Sequence, residues 1–166
     1  MGQTIPQQAA ITSPYGVPMQ AVTGGRPLHQ MSFIDSIKSV LLMNYANFEG
    51  RAARSEYWWY YLFTILAGFC IGIVDGIILI AMDVPLDSPL WIISPLVTIF
   101  QLAILVPSLA VTVRRLHDIG KSGWYLLLIF IPLVGIILLI VWCCTDGELL
   151  PNAYGPPPTN TLERSF

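Results

Sequence analysis

Three long apolar runs, residues 57–82, 90–113 and 124–144, constrain this 166-residue chain more than any other feature. Crossing a hydrocarbon core takes about 20 predominantly apolar residues as a helix, and each run is that long. Within them the one charged residue is Asp75. In hydrocarbon each backbone N–H and C=O must be satisfied inside the chain, which leaves helices as the form such runs can take. Composition agrees: 11% of the residues are charged, where a soluble domain carries about a quarter. The predicted fold class is an all-α integral membrane protein, with one interfacial amphipathic helix and a bundle of about three transmembrane helices.

The segments around the runs differ in kind. Residues 1–30 mix Gln, Pro, Gly, Thr and Ser without apolar periodicity and cannot offset the entropy of ordering. They are predicted to be a flexible tail, with a partner-binding segment as the alternative. They also lack the basic start and continuous apolar stretch of a signal peptide. Residues 31–146 form the predicted membrane domain. It opens with a helix over 32–46, where Phe33, Ile34, Ile37, Val40, Leu41 and Tyr45 recur at helical spacing and Ser32 with Asp35 makes a capping pair. This helix is expected in the headgroup plane, or else packed on the loops of its own domain. Trp58, Trp59, Tyr60 and Tyr61 suit the interface where the first run enters. Residues 147–166 are a Pro-rich tail, with turn and polyproline-like backbone over PNAYGPPP.

Each run carries its own marks. In the first, Gly68, Gly72 and Gly76 repeat every fourth residue, a face for close helix packing, and Asp75 lies on nearly the same face. The second holds Pro95 and Pro107, each expected to permit a kink, and a polar stripe of Ser94, Thr98, Gln101, Ser108 and Thr112. Counted at 1.5 Å per residue, Asp75, Thr98 and Gln101 fall about 10, 12 and 16 Å from the same membrane face, so they form a candidate intramembrane site. The third run is aliphatic, with Pro132 and Gly135 near its middle. Its length fits one crossing; a re-entrant hairpin turning at Pro132 and Gly135 is the alternative.

The cations define a second candidate. Lys38, Arg51 and Arg54 precede the first run, the connector 83–89 has no Lys or Arg, and Arg114, Arg115 and Lys121 follow the second run. The positive-inside bias then puts the N-terminus and the 114–123 loop in the cytoplasm. Three crossings would leave the C-terminus outside. Arg51, Arg54, Glu56, Arg114, Arg115, His117, Asp118 and Lys121 therefore share one side as a candidate polar cluster, and Glu56 and Asp118 are expected to pair with arginines of the opposite segment. Within the loop, Arg114 and Asp118 are four apart and able to bridge. A His beside an Asp suggests base chemistry, but charges at a helix end equally serve as a topology anchor or an anionic-lipid contact.

Four segments in order, GRAARSEYWW, SLAVTVRRLHDIGKSGWYLLL, IPLVGIILL and PNAYGPPP, resemble the DUF805 family of small bacterial inner-membrane proteins. The resemblance covers roughly residues 32–158. Tyr125 stands where a second Trp is frequent, and the N-terminal tail lies outside the pattern. The resemblance implies a multi-pass membrane protein from a family without an established biochemical activity.

Nothing in the sequence offers a Walker loop, a nucleophile elbow, a dinucleotide fingerprint or a His/Cys metal cluster. The expectation is no catalytic, cofactor-binding or metal residue and no cofactor. A net charge of −2 without a basic run argues against nucleic acid. The expected role is a non-enzymatic accessory or scaffold in the cell (inner) membrane, with lipids, other membrane proteins or a second copy as partners. The alternative is a small solute or proton transporter using Asp75.

Overall fold

The computed structural model describes residues 31–158. The predicted tail over 1–30 and the last part of the 147–166 tail, residues 159–166, lie outside the described residues.

Ser32 starts the first element as anticipated: its hydroxyl accepts the Asp35 amide and donates to the Asp35 carboxylate at 2.7 Å. Helix α1, Phe33–Lys38, runs directly into a wider π-helical turn, Ser39–Met43. One face of this pair is buried through Ser36, Ser39 and Val40, while Ile34, Leu42 and Met43 are exposed. Val40 joins Ala52, Tyr60 and Val111 in the buried core of the domain. The amphipathic element is thus packed on its own domain along one side and presents an apolar face outward along the other.

Helix α2, Arg54–Ala81, and helix α4, Pro95–Asp118, are long and apolar enough to cross a membrane. They run antiparallel, because contacts that rise along α2 fall along α4. Tyr61 meets Thr112 and Tyr60 meets Ser108 through their hydroxyls, at 3.1 and 2.9 Å. Farther along, Gly68 faces Phe100 and Gly72 faces Val97. A Cβ on either glycine would sit at ordinary contact distance from α4, so both lie on the face turned toward α4, and neither position needs a glycine for the approach seen here. Gly76 faces open space.

The second run is broken near its start. A single turn, α3 (Leu90–Ile93), ends at Ser94, whose φ of 42° interrupts the helix before Pro95 begins α4. The right-handed helical region is disfavoured for a residue before proline, and at Ser94 the helix restarts rather than kinks. Pro95 occupies a first-turn position, where its missing N–H costs nothing. Pro107 does lie inside α4.

The third run does not make one continuous crossing. A 3-10 stretch, Gly123–Phe130, stops at Ile131, and helix α5, Val134–Cys144, leads away from the break. The reversal is a γ-turn: the Val134 amide donates to the Pro132 carbonyl at 2.8 Å, and Leu133 between them has φ 63° and ψ −67°. The arms then lie side by side. Tyr125 and Trp142 pack edge to face at 5.3 Å, and Gly135 sits so close to Leu128 that an added Cβ would overlap its carbonyl. Arm lengths agree with a half-depth hairpin, since eight residues of 3-10 helix and eleven of α-helix each extend about 16 Å. The span expected over 124–144 is replaced by this hairpin, and its consequence follows: residues 145–158 return to the pole where α2 starts and α4 ends.

Candidate functional site

The sequence brings most of its charge to that pole, and the structure buries Arg51, Glu56, Arg114, Arg115 and Asp118 there. Residues 44–53 leave the π turn and pass Gly50, at φ 80°, before the Ala52 amide donates to the Arg114 carbonyl at 3.0 Å. This bond fixes the GRAARSE segment against the end of α4. The hairpin and the chain after it close the other side: the Glu148 amide donates to the Asp118 carbonyl at 2.9 Å.

Asp118 lies at the centre. Its Oδ1 accepts from Arg51 Nε at 2.9 Å, and its Oδ2 accepts from Arg115 Nη1. Arg51 also donates to the carbonyls of Asp118, Glu148, Leu150 and Gly155. Arg115, with no exposed surface, donates to the carbonyls of Ala52, Cys143 and Thr145. Two guanidiniums thus share one carboxylate, and the remaining charge is solvated by carbonyls, including those at the C-terminal end of α5, where the helix dipole is negative. Hydrogen bonding of this kind offsets the cost of burying these charges.

A second buried pair stands beside it. Arg114 Nη1 donates to Glu56 Oε1 at 3.0 Å, and Ser39 from the π turn donates to the same oxygen at 2.9 Å. Arg114 Nε and Nη2 are buried and have no partner among the described residues. The expected pairing of Glu56 and Asp118 with arginines of opposite segments is present, with Arg114 as the partner of Glu56 and Arg51 as the cross-segment partner of Asp118. Within the loop Asp118 bridges to Arg115, three residues back, instead of to Arg114.

His117 is separated from Asp118 chemically although adjacent in sequence. Its Nδ1 donates to the Gly50 carbonyl at 3.2 Å, and its ring stacks on Tyr154 with centroids 3.8 Å apart. Asp118 faces two arginines instead, so the pair does not form a His–Asp base. Lys121 lies over the Trp142 ring at 4.4 Å, and Arg54 makes an exposed ion pair with Asp146. Exposed pairs of that kind contribute little.

Asp75 is 2% exposed and occupies another place altogether. Its Oδ2 accepts from the Leu96 amide at 3.0 Å and the Val97 amide at 3.5 Å, the free N–H groups of the first turn of α4. Ser94 makes no side-chain cap there, so a carboxylate from α2 supplies one. Thr98 and Gln101 do not join it: Thr98 donates to the Ile93 carbonyl, and Gln101 is exposed.

Several participants were not singled out from sequence. Ser39, Gly50, Asn152 and Tyr154 all enter the cluster, Asn152 by donating to the His117 carbonyl at 2.9 Å. Gly147 faces the Asp118 carboxylate, which a Cβ would overlap. The PNAYGPPP string marked a turn; its role in holding the cluster depends on the hairpin bringing it back. Among the described residues no group of three His, Cys, Asp or Glu side chains could hold a metal ion.

The family model described as "Protein of unknown function (DUF805)" matches residues 45–156. Two similar relatives are the inner membrane proteins YhaI and YhaH of Escherichia coli strain K12. Each is 36% identical over 118 residues, covering 71% of this chain and 91% and 92% of their own lengths, respectively. No solved structure matches. With the two long apolar helices, these relatives identify the chain as an all-α integral membrane protein of the inner membrane.

Proposed function

Since the chain belongs to the DUF805 family, we propose that it is a non-enzymatic membrane scaffold, one that works through its lipid-facing surface and the protein partners held there. The observation that carries this reading is that its buried carboxylates are engaged internally. Glu56 and Asp118 hold arginines, and Asp75 caps α4. A catalytic base or a proton carrier needs a carboxylate that can exchange protons with a substrate or a water path. The exterior, by contrast, is apolar along α2, α4 and both hairpin arms. In this reading the pole bearing Arg51 and Asp118 is cytoplasmic, because Lys38, Arg54 and Lys121 gather there while Asp83 and Asp87 mark the other end. Headgroup contact falls to Arg54 and Lys121, since Arg114 and Arg115 are closed off from the surface.

The test is purification of the full chain in native lipid discs after in-membrane crosslinking, alongside a flux assay in liposomes. Stoichiometric partner proteins or retained lipids support the scaffold. A proton or solute flux that Asp75→Asn abolishes in a folded chain overturns it in favour of the transporter.

A further inference from the structure

The two ends of the α2–α4 pair do not carry the same number of helical elements. On the side of Asp83, the described chain crosses as α2 and α4, with the one-turn α3 at the boundary. On the side of Arg51, the same two helices are joined by α1 with its π turn, the 3-10 arm and α5. At a diameter of about 10 Å, each helical element adds roughly 80 Å² of cross-section, so the Arg51 half, with five elements against two, carries about two and a half times the protein area of the other.

Both additions enter to partial depth from the same pole. The hairpin begins after Lys121 and ends where the Thr145 carbonyl meets Arg115, and its tip exposes Phe130 and Leu133, 79% and 75% accessible. An apolar tip about 16 Å from the pole lies near the middle of a hydrocarbon core about 30 Å thick. The amphipathic segment also reaches inward through a side chain: the Tyr45 hydroxyl meets the Ala103 carbonyl, eleven residues before Arg114 on α4 and about 16 Å from it along the helix. Its outward residues, Ile34, Leu42 and Met43, are apolar, so acyl chains complete that surface.

We propose that the chain is a membrane wedge, and that the partner its shape fits is a bilayer whose leaflet on the Arg51 side is convex. Inserting extra area into one leaflet favours bending toward that side, and a protein with that asymmetry accumulates where the bend already exists. This rests on the membrane reading above and adds the class of surface recognised.

The experiment uses the full chain, fluorescently labelled and reconstituted into giant vesicles of phosphatidylcholine and phosphatidylglycerol, from which a narrow tube is pulled outward. An impermeant quencher separates molecules with the Arg51 pole outside from those with it inside. The expected result is a roughly two- to fivefold enrichment in the tube for outward poles and depletion for inward poles. Equal density in both orientations, or the same sign in both, overturns the wedge. The Phe130→Lys, Leu133→Lys chain, whose tip is drawn toward headgroups, should sort less; retained full sorting assigns the effect away from the hairpin and overturns its part in the wedge. Partner capture is scored separately in native discs: capture without sorting removes the wedge alone, and sorting without capture removes the scaffold alone.

Discussion

The Tyr45 hydroxyl donates a hydrogen bond to the Ala103 carbonyl on α4. Four residues later stands Pro107, which has no N–H to return to that carbonyl. A tyrosine from the amphipathic segment therefore repairs the gap that proline opens in a membrane helix, and in doing so pins the segment to α4. Tyr45→Phe should lower stability by about 1 kcal/mol. On a Pro107→Ala background, where the amide is restored, the same change should cost close to nothing. Unfolding in detergent followed by circular dichroism measures both; equal losses on the two backgrounds would show that the bond does not serve this purpose.

The Glu56–Arg114 pair is buried on both sides, and breaking such a pair from one side costs about 3–5 kcal/mol because the remaining charge is stranded. Glu56→Arg and Arg114→Glu should each deplete the chain from membranes. The double exchange should recover a large part of that loss, whereas Glu56→Arg with Arg115→Glu should not, since Arg115 belongs to Asp118. Immunoblotting of membrane fractions gives the readout.

Asp75 should tolerate loss of its charge but not of its oxygen. Asn retains an acceptor for the Leu96 and Val97 amides, so Asp75→Asn should change stability by no more than about 0.5 kcal/mol. Asp75→Ala leaves buried amides unpaired and should lose about 1–2 kcal/mol. A large loss in the Asn variant would mean that the carboxylate charge has a task beyond capping.

These cases also separate what was readable in the residues from what was not. Run length and the cation asymmetry are local properties, so helices α2 and α4 and the shared pole of GRAARSE and RRLHD were legible. Which arginine meets which carboxylate depends on helix rotation, and Arg114 and Arg115 differ by about 100° around α4. The Asp75 cap depends on Ser94 breaking the helix before Pro95, a break that the sequence pattern presented as a kink. In the third run two signals conflicted: its length matched a crossing, while Pro132 and Gly135 marked a reversal. Backbone geometry decides for the reversal, because Gly135 alone allows the arms to touch at Leu128.

Gly135→Ala should accordingly prevent closure of the hairpin, because the added methyl would overlap a backbone carbonyl that has no freedom to move aside. Gly76→Ala, in open space on α2, is the matched control and should be neutral or slightly stabilising. Thermal unfolding in detergent should separate the two by several degrees; similar values would mean that the arms are not held together at this point.

The hairpin makes the topology itself measurable. Because the third run returns to its starting side, residue 149 must share a membrane face with residue 49, and residue 86 must lie on the other. All three positions, Glu49, Leu86 and Leu149, are exposed. Single cysteines placed at each, in a chain with Cys70, Cys143 and Cys144 changed to Ala, can be challenged with an impermeant maleimide from one side of sealed vesicles. Glu49→Cys and Leu149→Cys should be labelled or protected together, and Leu86→Cys should behave in the opposite way. A single crossing by residues 124–144 would group Leu149→Cys with Leu86→Cys. It would also carry the Cys143 and Thr145 carbonyls away from Arg115, leaving a buried guanidinium without two of its partners, so the labelling pattern tests the ion cluster and the hairpin together.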